Sequence, residues 1–114
     1  MLDIKTREVG AVTVLDLSGN LLVGMGLEML RPRIEQLAAE QKLHIVLNAK
    51  DVSVIDSAGV GDLVASFSHL KRCGGSLKIA NPSKLVGDVL RIAKISTLIE
   101  TFPTLDAAVQ SFGP

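Results

Sequence analysis

The sequence predicts a single α/β domain, with about five strands in a mixed, mostly parallel sheet and about four helices packed against it. Three observations carry that prediction. Short β-type apolar runs alternate with amphipathic helical stripes, giving the order ββαβαβαβα. Strands separated by helices need crossover connections, which make neighbouring strands parallel. No linker, repeat or low-complexity segment interrupts the 114 residues, so residues 1–114 read as one domain.

Leu2 to Val9 and Ala11 to Leu17 are two β-type runs joined at Gly10, which predicts an opening hairpin. The second run alternates imperfectly, with Val12, Val14 and Leu15 as inward candidates, and Ser18-Gly19-Asn20 is expected to end it. Leu27, Leu30, Ile34, Leu37 and Ala38 recur at helical spacing. Pro32 interrupts that stripe, so this helix is expected either to kink or to start later than its periodicity suggests. His44-Ile45-Val46-Leu47 has the continuous apolar character of a strand buried on both faces, and Val52 to Ile55 leads into the next turn.

Val60, Leu63, Val64, Phe67 and Leu70 then form a second helical stripe, with Asp62, Ser66, His69 and Arg72 off it. Gly74-Gly75 should end that helix in a left-handed conformation. Leu77 and Ile79 mark another strand. Asn81-Pro82 reads as a helix start, with Asn as the cap and Pro in the first helical position. Leu85, Val86, Val89, Leu90 and Ala93 carry the third helix, and Leu98 to Phe102 reads as the last strand. Thr104 is expected to cap a short terminal helix through Val109.

Composition removes several classes of function. Twelve basic residues balance twelve acidic ones and aromatics are 3%, with no Trp or Tyr, so both a cationic field and stacking platforms for nucleic acid are lacking. No run of roughly 18 apolar residues exists to span a bilayer. Met1-Leu2-Asp3-Ile4-Lys5 alternates apolar with polar and does not read as a signal peptide. The one cysteine, Cys73, excludes an internal disulfide and is expected to pack at a helix end. The expected compartment is the cytoplasm, with no membrane and no nucleic-acid partner. Zero formal charge opposes self-association little, so a monomer or weak homodimer is expected.

Catalytic constellations are incomplete. Gly59-Val60-Gly61 and Gly24-Met25-Gly26 each begin a dinucleotide fingerprint, but Val64 and Met29 occupy the third glycine positions, and no Walker-type Gly-Lys-Ser/Thr occurs. Ser57 lacks the preceding glycine of a nucleophile elbow, Ile55 standing there instead. His69 lies twelve residues further along the same helix, about 18 Å away by helical rise, and cannot act as that serine's base. His44 falls at a strand start. The chain is expected not to be an enzyme and to need no metal or cofactor.

Asp56-Ser57-Ala58-Gly59-Val60-Gly61 stands out at a strand-to-helix junction. Asp and Ser are favoured N-caps, and capping alone would explain them. Gly59 and Gly61 would each cost about 1 kcal/mol relative to Ala in the first helical turns, which stability alone would not select. Ser57, Ala58 and Gly59 also leave a bare surface that another backbone could approach. A phosphate on Ser57 would meet free amides and the positive end of the helix dipole, so the fold should tolerate it. Its effect would fall on a binding partner.

Residues Val52-Ser53-Val54-Ile55-Asp56-Ser57-Ala58-Gly59-Val60-Gly61 resemble the phosphorylation-site motif of anti-sigma factor antagonists, the bacterial STAS domains. The resemblance extends to Leu17-Ser18-Gly19, Ile45-Val46-Leu47, Gly74-Gly75-Ser76-Leu77-Lys78-Ile79 and Asn81-Pro82-Ser83. It implies partner switching. The unphosphorylated antagonist would bind an anti-sigma factor that is also a serine kinase, phosphorylation at Ser57 would release it, and a serine phosphatase would reset it. Asp56, Ser57, Ala58, Gly59 and Gly61 would form the partner-binding surface.

One stretch departs from the family. Gly19-Asn20-Leu21-Leu22 stands where the family commonly shows Gly-Glu-hydrophobic-Asp, and Val23-Gly24-Met25-Gly26 follows in place of a polar helix start. This apolar loop reads either as a contact surface or as core. Two other roles remain open at this level: a STAS scaffold or transporter-accessory subunit without a sigma factor, and a nucleotide-binding regulatory module.

Overall fold

The computed structural model describes residues 2–21 and 27–113. Its elements are β1 (Leu2–Val9), β2 (Val12–Leu21), α1 (Leu27–Ala39), β3 (His44–Ile55), α2 (Ser57–Arg72), β4 (Ser76–Ala80), α3 (Lys84–Ile92), β5 (Thr101–Phe102) and α4 (Leu105–Gln110), with a 3-10 turn at Ile95–Thr97. The order ββαβαβαβα is the expected one. The five strands lie side by side in chain order, β1 antiparallel to β2 and every later pair parallel.

That strand order sets the layers. Each parallel crossover is right-handed in nearly all proteins, so strands added successively in one direction place their crossover helices on one face. α1, α2 and α3 accordingly share a core with Leu15 and Leu17 of β2, Ile45 and Leu47 of β3, and Leu77 and Ile79 of β4. Among the described residues, α4 is the helix that covers the opposite face. Val12, Val14, Val46 and Ala80 pack there against Ala108, Phe102 and Phe112. Ile45-Val46-Leu47 is thus buried on both faces, as its unbroken apolar run requires. The same two-sided burial explains the imperfect alternation of β2, whose Val12 and Val14 face α4 while Leu15 and Leu17 face the three-helix layer.

The structure corrects several element boundaries. Ser18-Gly19-Asn20 does not end β2; the strand runs to Leu21, and β3 inserts extra residues between its Asp16 and Ser18 partners and again between its Gly19 and Asn20 partners. Gly19 takes φ +110°, which glycine adopts at no steric cost. His44 to Leu47 and Val52 to Ile55 are halves of one twelve-residue strand. Its polar middle is held by Asn48 Nδ2 donating to Asp16 Oδ1 at 2.8 Å, and Arg7 Nε meets the same carboxylate at 2.7 Å. α1 begins before Pro32 and contains it in its second turn.

Asn81 is not a cap. Its amide donates to the Phe102 carbonyl at 2.8 Å and its backbone sits at φ +60°, so the chain turns there and Ser83 caps α3 by accepting from the Val86 amide. Leu85 is 54% exposed, because the buried face of α3 consists of Val86 and Leu90 one turn apart. Ala93 is an exposed C-cap. Only Thr101 and Phe102 of the expected last strand pair with β4; Ile95 and Ile99 drop into the core before it, and Leu98 is 46% exposed. Thr104 caps α4 as expected, its hydroxyl accepting from the Ala107 amide at 3.1 Å.

Candidate functional site

β3 ends at Ile55 and α2 begins at Ser57, leaving Asp56 alone as the junction. Asp56 is extended, at φ −108° and ψ −176°, which turns its side chain back over the first helical turn. Its Oδ1 accepts from the Gly59 amide at 2.9 Å, and its carbonyl accepts from the Val60 amide at 3.0 Å. This is the N-cap the local sequence predicts.

Ser57 is therefore the first residue of α2 and is exposed. The amides of Ser57 and Ala58 have no carbonyl one turn back to meet, so the helix end presents donors and the positive end of its dipole beside the Ser57 hydroxyl. Ala58 is half-buried, Gly59 is buried and Gly61 is exposed. A Cβ built on Gly61 would meet nothing within 4 Å, so its bareness serves no internal packing. Of the five residues singled out from sequence, Gly59 is the one lying beneath the surface, where it contributes the capped amide.

The far end of α2 closes as the glycine pair predicts. Cys73 is the C-cap, Gly74 sits at φ +86°, the Gly74 amide donates to the Lys71 carbonyl and the Gly75 amide to the Leu70 carbonyl. These bonds make a Schellman motif. Cys73 lies at the helix end but is exposed, with its sulfur 3.9 Å from His69 Nε2. His44 stands at the start of β3 as expected and stacks on Phe112 with ring centroids 4.9 Å apart.

Sequence periodicity missed one part of α2. Asp62 and Ser66 lie off the apolar stripe, yet their residues are only 9% and 2% exposed, because α1 packs along that side. Arg31 Nε of α1 approaches Asp62 Oδ1 at 3.6 Å. Asp62 Oδ2 and Ser66 Oγ are buried without a hydrogen-bond partner among the described residues. Burial pushes the Asp62 carboxyl up to about 6, against the pull of Arg31 and with a further push from Glu35. Between the two helices lies an open cleft of about 480 Å³. The available signal was the spacing of Asp62 and Ser66 at i, i+4, which sets both polar side chains on one side of α2.

Leu22–Gly26, most of the loop that departs from the family pattern, lies outside the described residues, and so does its Gly24-Met25-Gly26 stretch; Asn20 and Leu21 belong to β2. Among the described residues, no helix is long and apolar enough to cross a membrane.

A five-stranded sheet with three helices on one face, and an exposed serine directly after the Asp56 cap of the second helix, defines a small α/β domain. The family model described as STAS domain matches residues 3–108, and the chain belongs to that family. It is 34% identical over 82 residues to the anti-sigma-B factor antagonist of Bacillus subtilis, covering 72% of this chain and 74% of that protein. Its fold is similar to that of an anti-sigma factor antagonist from Mycobacterium paratuberculosis, with TM-score 0.84, 19% identity and coverage of 97% and 93% of the two chains. It is also similar to the Bacillus anti-sigma factor antagonist SpoIIAA. In the unphosphorylated form the TM-score is 0.80, with 22% identity and coverage of 96% of each chain. In the phosphorylated form it is 0.73, with 21% identity and coverage of 97% and 100%.

Proposed function

We propose that this protein is an anti-sigma factor antagonist that switches partners through phosphorylation of Ser57. The observation that carries the reading is the exposed Ser57 hydroxyl at the first position of α2, directly after the Asp56 cap, in a chain of the STAS domain family. The B. subtilis relative bears the name of such an antagonist, and SpoIIAA has been solved with and without its phosphoryl group.

In the unphosphorylated state the surface around Asp56, Ser57, Ala58 and Gly61, with the backbone over Gly59, meets an anti-sigma factor that is also a serine kinase. The absence of long side chains at residues 58, 59 and 61 lets the kinase bring its own backbone and nucleotide close to the hydroxyl. Phosphorylation adds about −1.5 to −2 charges. The free amides of α2 hold that charge without disturbing the fold, whereas an acidic surface on the kinase is repelled. A loss of about 3 kcal/mol in binding lowers affinity roughly a hundredfold, enough to release the complex. A serine phosphatase then restores the binding form. The switch runs in the cytoplasm, on a chain that is itself not an enzyme.

The test is intact-mass analysis of the protein isolated from its own cells, with fragmentation to place any modification. One phosphoryl group on Ser57 is expected, together with a Ser57→Ala variant that resists modification and copurifies constitutively with the kinase. Equal phosphorylation of that variant would move the site elsewhere. A chain unmodified under every growth condition would favour a scaffold or transporter-accessory role, with Asp56-Ser57 reduced to a helix cap.

A further inference from the structure

We propose that the cleft between α1 and α2 is a binding site for a small organic cation, an ammonium carried on a compact apolar body, with Asp62 as its anionic anchor. Arg31, Pro32 and Glu35 of α1 form one wall. Ala58, Gly61 and Ala65 of α2 form the other, three small residues that keep the space open, and Asp62 completes the lining. The volume of about 480 Å³ falls within the range of small-molecule sites.

Its chemistry selects the ligand. Asp62 has a side chain only 7% exposed, and while Oδ1 faces Arg31 at 3.6 Å, Oδ2 has no hydrogen-bond partner among the described residues. Ser66 Oγ, one turn along and 2% exposed at the residue, also lacks one and lines the adjoining part of the same groove. A buried acceptor left unmade is costly, and a charge-assisted donor is the partner that repays it best. Among the described residues, the three charged groups lining the cleft, Arg31, Glu35 and Asp62, sum to one negative charge when ionised. The cleft therefore favours a cation over an anion or a neutral ligand. The remaining walls, Pro32, Ala58, Gly61 and Ala65, offer apolar or bare surface and suit a hydrocarbon body. None of this depends on phosphorylation of Ser57, so the site can be tested on the isolated chain.

The probe is benzylammonium chloride, titrated into the ¹⁵N-labelled protein at pH 7.5 with amide shifts as the readout, and with benzyl alcohol as the neutral control. Saturable shifts confined to the amides of Arg31, Glu35, Gly61, Asp62 and Ala65 are expected for the cation, and none that saturate for the alcohol. Asp62→Asn should weaken binding at least about tenfold while leaving the spectrum dispersed. Gly61→Leu, whose side chain enters open space, should block the cleft with the carboxylate still in place. Equal binding of the alcohol, unchanged affinity in either variant, shifts scattered over the surface, or no saturation would each overturn the proposal.

Discussion

Asp56 caps α2 and Asp62 lies six residues further on within it, and their surroundings give them opposite energetic roles. Asp56 satisfies an orphan amide at 2.9 Å. Asp56→Ala should therefore cost about 1 kcal/mol and lower the melting temperature by roughly 4 °C, whereas Ser57→Asp, adding charge at an open helix N-terminus, should stay within about 0.5 kcal/mol of the parent. A large destabilisation by Ser57→Asp would make Ser57 a structural group. Asp62 is instead buried against α1, and its carboxyl rises from 3.8 to about 6. Between those values the folded state holds the proton more tightly than the unfolded chain. Stability from this group consequently falls as pH rises from about 4 to about 6, by about 2–3 kcal/mol, and stays low above that. Urea denaturation at the two ends of this window should show Asp62→Asn gaining on the parent by a comparable amount. A constant difference between them would refute the assignment.

At the scale of the element, the two ends of α2 are made differently. The N-terminus is held by a side chain and the C-terminus by backbone conformation, through Gly74 and Gly75. The two glycines are not equivalent. Gly74 needs its positive φ but has open space around it, so Gly74→Ala should cost about 1 kcal/mol. Gly75 is buried, and a Cβ there would fall on the Leu43 carbonyl oxygen and 2.8 Å from the Leu43 Cβ. Gly75→Ala should cost at least about 2 kcal/mol, because the clash is with the Leu43 backbone just before β3 rather than with the end of a flexible side chain. Thermal denaturation of both variants checks the order; a milder Gly75 variant would mean that the α2–β4 connection can shift freely.

Across the whole molecule, the sheet has one thick face and one thin one. Three helices cover the first, but α4, six residues long, covers most of the second. Lys78 illustrates how closely α4 is seated: its residue is 7% exposed, Nζ donates to Ser111 Oγ at 2.7 Å, and it lies 4.2 Å from the Phe112 ring centroid. Truncation after Pro103 should leave the three-helix core intact while uncovering Val12, Val14 and Val46. The shortened chain should elute in light-scattering chromatography as a larger assembly than the full chain. A monodisperse monomer with unchanged melting behaviour would show that α4 contributes little.

How much of this could be read in advance follows the range of the interactions. The kind and order of the elements, the parallel sheet, the Asp56 and Thr104 caps and the Gly74 stop are all written within a few residues. Hydrophobic period, capping chemistry and glycine's conformational freedom act over one or two helical turns. The Ser57 motif was legible for the same reason, as a contiguous run. What only the tertiary structure decided depended on a neighbour distant in sequence. Asn81 resembles a cap locally, but β5 claims its amide and hands the role to Ser83. Ser18-Gly19-Asn20 resembles a strand end, but β3 supplies the ladder that carries β2 through it. Asp62 and Ser66 resemble a polar helix face, and α1, drawn against α2 by the right-handed crossovers, turns that face into the wall of a cleft.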